Sequence, residues 1–271
     1  MSTNLSGGDK FSINNKRAGI ISRFRAIGCG AMAGALEQIY MDTQYSATDF
    51  DTRLELMLRA QELERNERKR RSLLKSSGLL SCPDIGLIRL NLPGGISIQD
   101  LDLCASVSRA TSPKTLILSG PTGIGKTTVL THLGRSYCSA GLTVMYRNTE
   151  TLLRGLLHSE GKSRERLFRK AVSAQVLILD DFCIRTPMDD DLVWELFNIV
   201  EARLGNHEQR RPVFIGTQLD MESDDNGAGI SPALGGSAVA ESVADRLVNP
   251  GDLYVLTGES RRKGLQHKTA D

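Results

Sequence analysis

The sequence predicts an α/β fold in which a five-stranded parallel sheet follows an all-helical N-terminal region. Two observations lead to this prediction. After residue 106, five apolar runs alternate with helical segments, as expected for parallel strands buried on both faces. Residues 16–76, by contrast, contain few β-branched runs, and leucines supply their apolar positions. We therefore expect a small helical domain with its linker over residues 1–105 and an α/β domain over residues 106–271.

The N-terminal region carries the densest group of basic residues in its predicted helix. We call it the basic cluster, and its members are Arg65, Arg68, Lys69, Arg70, Arg71 and Lys75. Within this stretch only Glu67 opposes them, and Gly78 and Pro83 are expected to end the helix. The cluster can bind DNA, because phosphate neutralisation dominates sequence-independent affinity. Docking of a partner protein and a simple solvated helix face remain open as alternatives.

The strands of the α/β domain follow a predicted linker. Residues 82–106 contain Pro93-Gly94-Gly95, which is typical of a linker with short elements. Strands are predicted over residues 115–119, 142–147, 176–180, 212–217 and 253–257. Glycines and acidic residues between 220 and 236 predict a flexible loop. Ligands of such a sheet bind at the carboxyl ends of its strands, so candidate site residues are sought there.

A glycine-rich stretch follows the first predicted strand and precedes a helix. It consists of Gly120, Pro121, Thr122, Gly123, Ile124, Gly125, Lys126, Thr127 and Thr128. This is the pattern G-x-x-x-x-G-K-[ST] in the context that a P-loop requires. Its glycines let backbone N–H groups approach an anion, and the helix N-terminus adds a partial positive charge. We expect Lys126 to reach the β- and γ-phosphates of ATP and the Thr127 hydroxyl to bind Mg²⁺.

Two adjacent acidic residues, Asp180 and Asp181, end the third predicted strand after the apolar run Val176-Leu177-Ile178-Leu179. One aspartate after an apolar run would be weak evidence, but an adjacent pair 54 residues after Lys126 is stronger. Asp180 is expected to hold Mg²⁺ through water, and Asp181 is expected to orient and polarise the attacking water.

Two further residues are candidates for the same site. Gln218 follows the fourth predicted strand, from where its side chain can reach the γ-phosphate. Arg246 can stabilise charge on the γ-phosphate of a neighbouring subunit if it lies at a subunit boundary. Plainer interpretations remain open for both: Gln218 as a loop residue, and Arg246 as the partner of Asp245 or Glu241 in a surface ion pair.

Composition excludes some classes of protein. Lys and Arg total 34 against 32 Asp and Glu, so the net charge of +2 indicates no particular partner. The five dispersed cysteines form no C-x-x-C pair, which predicts reduced thiols rather than disulfides or a zinc site. The mildly apolar stretch 26–36 is rich in glycine and starts too far from Met1 for a signal peptide. We expect a cytoplasmic protein with no membrane partner.

Together these stretches resemble the IstB-like ATPases, the helper proteins of two-gene insertion sequences. That family belongs to the AAA+ class, close to DnaC-type helicase loaders. The resemblance covers nearly the whole chain, including residues 26–36, Leu179-Asp180-Asp181, Asp245-Arg246-Leu247 and Gly258-Glu259-Ser260. The sequence departs from the family pattern at Phe182-Cys183, where a glycine is usual, and in the long loop 220–240.

The resemblance implies roles for individual residues. Lys126 and Thr127 form the Walker A pair. Asp180 and Asp181 are the Walker B carboxylates. Gln218 is similar to a sensor-1 residue, Arg246 resembles the arginine finger, and Arg262 resembles a sensor-2 arginine that contacts the nucleotide.

The resemblance also implies a function. The protein would be an ATP-dependent helper of a transposase, which oligomerises on double-stranded target DNA and regulates transposition through ATP binding and hydrolysis. A replicative helicase loader shares the same motor motifs, so the sequence alone does not separate the two. A third class, a P-loop small-molecule kinase, would require an acceptor pocket and would not need Arg246.

Overall fold

The structure is a computed structural model that describes residues 7–45, 47–79, 88, 92–184, 186–205, 210–221, 229–249 and 251–260. The chain forms two compact units, one up to Arg71 and one from Ser72 onward. This boundary falls inside a long helix, whereas the sequence predicted a boundary between residues 105 and 106. The assignment of separate roles to 1–105 and 106–271 stays a prediction.

The N-terminal unit is helical, as predicted. Its helices are α1 (Gly7–Ala26), α2 (Gly30–Met41), a 3₁₀ turn (Thr43–Tyr45) and the part of α3 (Phe50–Ser77) that precedes Ser72. The chain turns between α1 and α2 at Gly28, whose φ of 81° favours glycine. A small apolar core joins the three helices and contains Ile21, Met32, Ala33, Leu36, Ile39 and Met57.

Two short helices, α4 (Ile98–Ala105) and α5 (Val107–Thr111), precede the sheet in the second unit. Helix α4 begins with a capping box, in which Ser97 and Asp100 each accept a hydrogen bond from the other's backbone N–H. The predicted linker 82–106 therefore ends in an ordered helix. Of its earlier residues, 82–87 and 89–91 lie outside the described part of the chain.

Five parallel strands form one sheet in the order β2-β3-β4-β1-β5. They are β1 (Thr115–Ser119), β2 (Val144–Asn148), β3 (Val176–Phe182), β4 (Val213–Thr217) and β5 (Gly251–Val255). The predicted α/β fold with a five-stranded parallel sheet is confirmed. Strand β1 has its predicted bounds, while the others shift by one or two residues. Strand β3 continues past the aspartate pair to Phe182, because this aromatic ring is fully buried in the core.

Helices cover both faces of the sheet. They are α6 (Lys126–Ser139), α7 (Thr149–Leu157), α8 (Gly161–Ser173), α9 (Asp190–Leu204), α10 (Ile230–Ala233) and α11 (Ala238–Val248). Two apolar clusters fill the layers, one between the sheet and α6 and the other under α7, α9 and α11. Among the described residues, no helix is both long enough and apolar enough to cross a membrane.

The loop predicted over residues 220–236 is partly wrong. Its described end contains α10, where Ile230 and Ala233 are buried in the apolar cluster under α11. Burial of these side chains overrides the glycine-rich composition, because removing apolar area from water is the larger effect. Residues 222–228 lie outside the described residues.

Candidate nucleotide-binding site

A cavity of about 170 Å³ lies at the carboxyl ends of β1, β3 and β4. Its lining consists of Thr122, Gly123, Gly125, Lys126, Thr127, Thr128, Asp181 and Gln218. Residues that are far apart in the sequence, on the P-loop and on two different strand ends, therefore face one space. This is the position at which ligands of open α/β sheets bind.

The P-loop is held in place by the segment that follows β5. Gly120 has a φ of 145°, and a Cβ atom built on it would lie 2.5 Å from the carbonyl oxygen of Leu256. Gly123 has a φ of 81°, and a Cβ atom there would collide with the Ser260 side chain. Both positions exclude a larger residue through backbone conformation and through close contact. The loop thus keeps its shape because glycines allow the segment after β5 to pack on it.

Lys126 begins α6 and has a side chain that is 7% exposed. Its ammonium donates hydrogen bonds to the carbonyl oxygens of Gly120, at 2.6 Å, and Pro121, at 3.0 Å. Two carbonyl groups at the start of the P-loop therefore fix the position of the Lys126 ammonium group. A phosphate in the cavity would be a stronger partner, because its negative charge attracts the ammonium more strongly than a neutral carbonyl group does.

Asp180 is the best-connected acid of the site and is only 2% exposed. Its Oδ2 accepts hydrogen bonds from the Thr127 hydroxyl, at 2.7 Å, and the Tyr146 hydroxyl, at 2.6 Å. Its Oδ1 accepts one from the backbone N–H of Asp181 at 3.0 Å. Burial, together with the hydrogen bond to Asp180, raises the pKa of Tyr146 above its ordinary value. The predicted pair Thr127 and Asp180 is in direct contact.

Asp181 turns towards the cavity because β3 is irregular at this point. The register between β3 and β4 shifts between Leu179 and Phe182, and Asp181 has a φ of 52°. Positive φ is uncommon for a residue other than glycine, although aspartate is among those that tolerate it best. The side-chain amide of Asn148 donates to Oδ2 of Asp181 at 3.1 Å. The bulge therefore aims Asp181 at the cavity, and Asn148 fixes its carboxylate.

Gln218 reaches the P-loop directly. The Thr122 hydroxyl donates to Oε1 of Gln218 at 2.7 Å, and both residues line the cavity. The strand end before Gln218 is fixed by Thr217, whose hydroxyl donates to the carbonyl oxygen of Phe182 at 2.9 Å. The structure thus places Gln218 at the P-loop cavity, and its contact with the γ-phosphate stays a prediction.

Arg246 does not line the cavity of its own chain. It lies on α11 with a half-buried side chain and forms an ion pair of 2.7 Å with Glu201 on α9. Its guanidinium also lies 5.8 Å from the centre of the Phe197 ring. The ion-pair partner is Glu201 rather than Asp245 or Glu241, because α11 packs against α9. Its predicted role towards a neighbouring subunit stays a prediction, and Arg262 lies outside the described residues.

The basic cluster lies along α3 and is more strongly paired than its sequence indicated. Glu67 forms ion pairs of 2.7 Å with both Arg70 and Arg71, and Glu64, one turn before Arg68, pairs with Arg68. Hydrogen bonds from Arg70 and Arg71 lower the pKa of Glu67 to about 2. The remaining three basic residues, Arg65, Lys69 and Lys75, are exposed. DNA binding by this cluster stays a prediction.

Four residues that support the two acids were not predicted from the sequence. Tyr146 and Asn148 contact the carboxylates, and Thr149 donates to the backbone carbonyl of Asp180 at 2.9 Å. Gly216 of β4 lies against Asp180, with a built Cβ atom only 2.5 Å from Oδ1. The residues at the carboxyl end of β2 could have indicated this, because parallel neighbours in a sheet bring their carboxyl ends to the same side, here next to Asp180 and Asp181 of β3.

A family model described as "IstB-like ATP binding protein" matches residues 23–270. The chain belongs to this family. Membership confirms the predicted family, whose description is that of an ATP-binding protein. The P-loop cavity is the place in this IstB-like protein where the geometry supports nucleotide binding.

Several relatives are named as insertion sequence ATP-binding proteins. One is y4pL of Sinorhizobium fredii, which is 30% identical over 57% of this chain and 59% of its own length. Another, of IS1162 from Pseudomonas fluorescens, is 29% identical over 69% of this chain and 81% of its own. A third, y4uH of Sinorhizobium fredii, is 26% identical over 90% of this chain and 94% of its own. The IstB-like chain is thus similar to ATP-binding proteins of insertion sequences.

Two crystal structures show similarity at lower identity. The DnaC helicase loader is 18% identical, with a TM-score of 0.48, over 66% of this chain and 94% of that chain. DnaI is 20% identical, with a TM-score of 0.46, over 61% of this chain and 82% of that chain.

Proposed function

We propose that this IstB-like protein is an ATPase that assists a transposase by self-associating on double-stranded DNA in response to ATP. One observation carries the ATPase part of the proposal. The Thr127 hydroxyl lies 2.7 Å from the Asp180 carboxylate, at the cavity that Lys126, Asp181 and Gln218 also line. These are the groups that phosphoryl transfer from a nucleotide requires.

The donor set of the cavity fits Mg²⁺. Thr127 offers a hydroxyl oxygen and Asp180 a carboxylate oxygen, and hard divalent cations prefer oxygen ligands. Both side chains are already oriented by their mutual hydrogen bond, so little ordering would remain on binding. Thr127 directly, and Asp180 through water, would hold the ion, which would supply positive charge to the phosphates.

The chain's own residues divide the remaining work. Lys126 would exchange the carbonyl oxygens of Gly120 and Pro121 for phosphate oxygens. Asp181, held by Asn148, would orient a water molecule and accept its proton during attack on the γ-phosphate. Gln218 lies beside the P-loop, where it accepts a hydrogen bond from Thr122, and would contact the same γ-phosphate.

Assembly would complete the site. Arg246, which does not line the cavity of its own chain, would act on the γ-phosphate held by a neighbouring copy. The ion pair with Glu201 orients the guanidinium of Arg246. When Arg246 contacts a neighbour's γ-phosphate, this ion pair must either be kept or be replaced by the contact with the phosphate. DNA would bind along the basic cluster, where Arg65, Lys69 and Lys75 are exposed.

The experiment that tests this function measures ATP turnover against protein and DNA concentration. Turnover per subunit should rise with protein concentration and with added duplex DNA, because the active site lies between subunits. Where the adjacent open reading frame encodes a transposase, that purified enzyme should then join DNA ends more efficiently into duplex bound by this protein and ATP. Turnover that is independent of both concentrations and needs a small acceptor would contradict the proposal. Stimulation of a replicative helicase instead of a transposase would contradict its transposition part.

A further inference from the structure

The environment of Asp180 contains a tyrosine that the nucleotide site does not otherwise use. Tyr146 lies on β2, next to β3 in the sheet, and its hydroxyl is 2.6 Å from Oδ2 of Asp180. A carboxylate oxygen has no proton to donate, so Tyr146 is the donor. The ring is 7% exposed and packs in the apolar cluster that contains Leu130 and Leu133 of α6.

Two hydroxyl groups that donate to Asp180 fill both acceptor positions of one of its carboxylate oxygen atoms. Oδ2 accepts from Thr127 and Tyr146, and a carboxylate oxygen has two lone pairs in its plane. Oδ1 accepts the N–H of Asp181 and is packed against Gly216. The carboxylate can therefore neither turn nor offer a free lone pair of Oδ2 to a cation without losing a buried hydrogen bond. Loss of such a bond to a charged group is costly.

We propose that Tyr146 is a positioning residue of the Mg²⁺ site. By occupying one lone pair of Oδ2, it fixes the carboxylate so that the other lone pair of Oδ2 accepts from Thr127 and the second lone pair of Oδ1 is left for metal-bound water. Asp180 thereby acts on the metal from outside its inner shell, and Thr127 is kept in the orientation in which its oxygen faces the cavity. This inference rests on the proposed ATPase function, since it concerns the same site.

The hydroxyl of Tyr146 should affect the coupling between metal and nucleotide, which is the factor by which Mg²⁺ tightens ATP binding. In Tyr146→Phe the ring remains and only the hydroxyl is lost, so Asp180 gains freedom and Thr127 loses its fixed partner. We expect the coupling factor to fall about 10-fold, the usual lower bound for loss of an outer-shell partner of a metal site. Nucleotide affinity without metal should not change, because Tyr146 does not line the cavity.

The probe is a fluorescent, non-hydrolysable ATP analogue, titrated in EDTA and again in saturating Mg²⁺. This measures binding and not turnover. Tyr137→Phe is the matched control, because Tyr137 is also a buried tyrosine of the same apolar cluster and its hydroxyl donates to the carbonyl oxygen of Cys104 on α4. Both variants lose one buried hydroxyl group, but only Tyr146→Phe changes the environment of Asp180.

A double-mutant cycle with Asp180→Asn shows whether Tyr146 acts through Asp180. In that background Tyr146→Phe should have no further effect on coupling. If Tyr146→Phe does not fold, Tyr146→4-aminophenylalanine keeps the ring and a weaker N–H donor, and its coupling should lie below that of the wild type.

The outcomes separate this inference from the function on which it rests. A wild-type protein that binds the analogue more tightly with Mg²⁺, and a selective loss of coupling in the Tyr146 variants, would support the inference. Unchanged coupling in these variants, or an equal loss in Tyr137→Phe, would overturn it while the ATPase function stands. A wild-type protein without any effect of Mg²⁺ would overturn the proposed metal site and the inference together.

Discussion

Gly216 on β4 and Asp180 on β3 lie so close that a methyl group does not fit between them. A Cβ atom built on Gly216 would be 2.5 Å from Oδ1 of Asp180 and 2.8 Å from the Leu130 side chain. The absence of a side chain on one strand is therefore what lets the acid on the next strand be buried in contact with Thr127.

Gly216→Ala should consequently impair the metal site more than it impairs the fold. The added methyl group forces Asp180 away from Thr127, and we expect ATP turnover to fall by about 10- to 100-fold, as for other losses of metal-site geometry. Nucleotide binding in EDTA should survive, since the P-loop itself is not touched. Steady-state turnover and analogue binding measure the two effects.

Gly34→Ala provides the control for this substitution. Gly34 lies in α2, and a Cβ atom built there meets nothing within 4 Å. This variant should keep wild-type turnover. Equal activity of Gly216→Ala and Gly34→Ala would show that the close contact between Gly216 and Asp180 does not control turnover.

Asp181→Asn should separate nucleotide binding from hydrolysis. Asparagine keeps the shape of the side chain and an oxygen that can accept from Asn148, but it is a far poorer base. We expect turnover to fall by about 100-fold or more, the usual contribution of a general base. Because hydrolysis is blocked, the variant should remain bound to ATP and DNA in a filter-binding assay.

Asp189→Asn is the matched variant for Asp181→Asn. Asp189 is an exposed acid beyond the end of β3 that pairs with Arg154, outside the P-loop cavity. ATP turnover by the Asp189→Asn variant should equal that of the wild type. Normal turnover by Asp181→Asn would rule out Asp181 as the base.

Arg246 gives a prediction that concerns two subunits at once. Alone, Arg246→Ala should bind ATP but turn it over slowly, and Lys126→Ala should not bind it. When the two inactive proteins are mixed, turnover should reappear, because a P-loop with Lys126 can then face a neighbour that has Arg246. Loss of a single arginine of this kind costs about three orders of magnitude in rate or more.

The ion pair with Glu201 requires its own control in this experiment. Glu201→Gln removes the partner of Arg246 but keeps the arginine, so it tests whether the pair alone matters. It should retain most of the turnover that Arg246→Ala loses. A mixture that stays inactive would mean that Arg246 serves only the contact between α9 and α11.

The basic cluster predicts a change in the salt dependence of DNA binding. Substituting Arg65 and Lys69, two of the exposed residues of the cluster, by Ala should weaken binding to duplex DNA of any sequence. It should also flatten the plot of log affinity against log salt by roughly 0.9 for each DNA phosphate that the variant no longer neutralises. Arg70 and Arg71 are less suitable targets, because removing either leaves Glu67 with fewer partners.

Lys114→Ala is a suitable control for this double substitution. Lys114 is an exposed lysine just before β1, at the amino ends of the strands, whereas the cavity lies at their carboxyl ends. Its salt slope should match that of the wild type. An unchanged slope in Arg65→Ala/Lys69→Ala would remove the cluster from the DNA site.

Much of this site follows from the sequence because its signals are local. The P-loop pattern between a strand and a helix placed Lys126 and Thr127, and the apolar run before Asp180 placed β3. Strand bounds were less certain, since burial of Phe182 extends β3 beyond the point at which the apolar run ends.

The remaining contacts depend on how strands are ordered, which no local pattern contains. Tyr146 and Asn148 became part of the site only because β2 lies beside β3. Glu201 became the partner of Arg246 because α9 packs against α11, whereas the sequence offered only the nearer acids Asp245 and Glu241. Contacts between distant segments require the fold to be known.

The central claim, that ATP drives assembly of this protein on DNA, is tested most directly by electron microscopy of the protein with duplex DNA, with and without ATP. Lys126→Ala, imaged beside the wild type, controls for nucleotide binding. We predict rings or filaments on DNA for the wild type with ATP, and none without ATP or with Lys126→Ala. Assemblies that form equally well without ATP, or no assemblies under any condition, would contradict the claim.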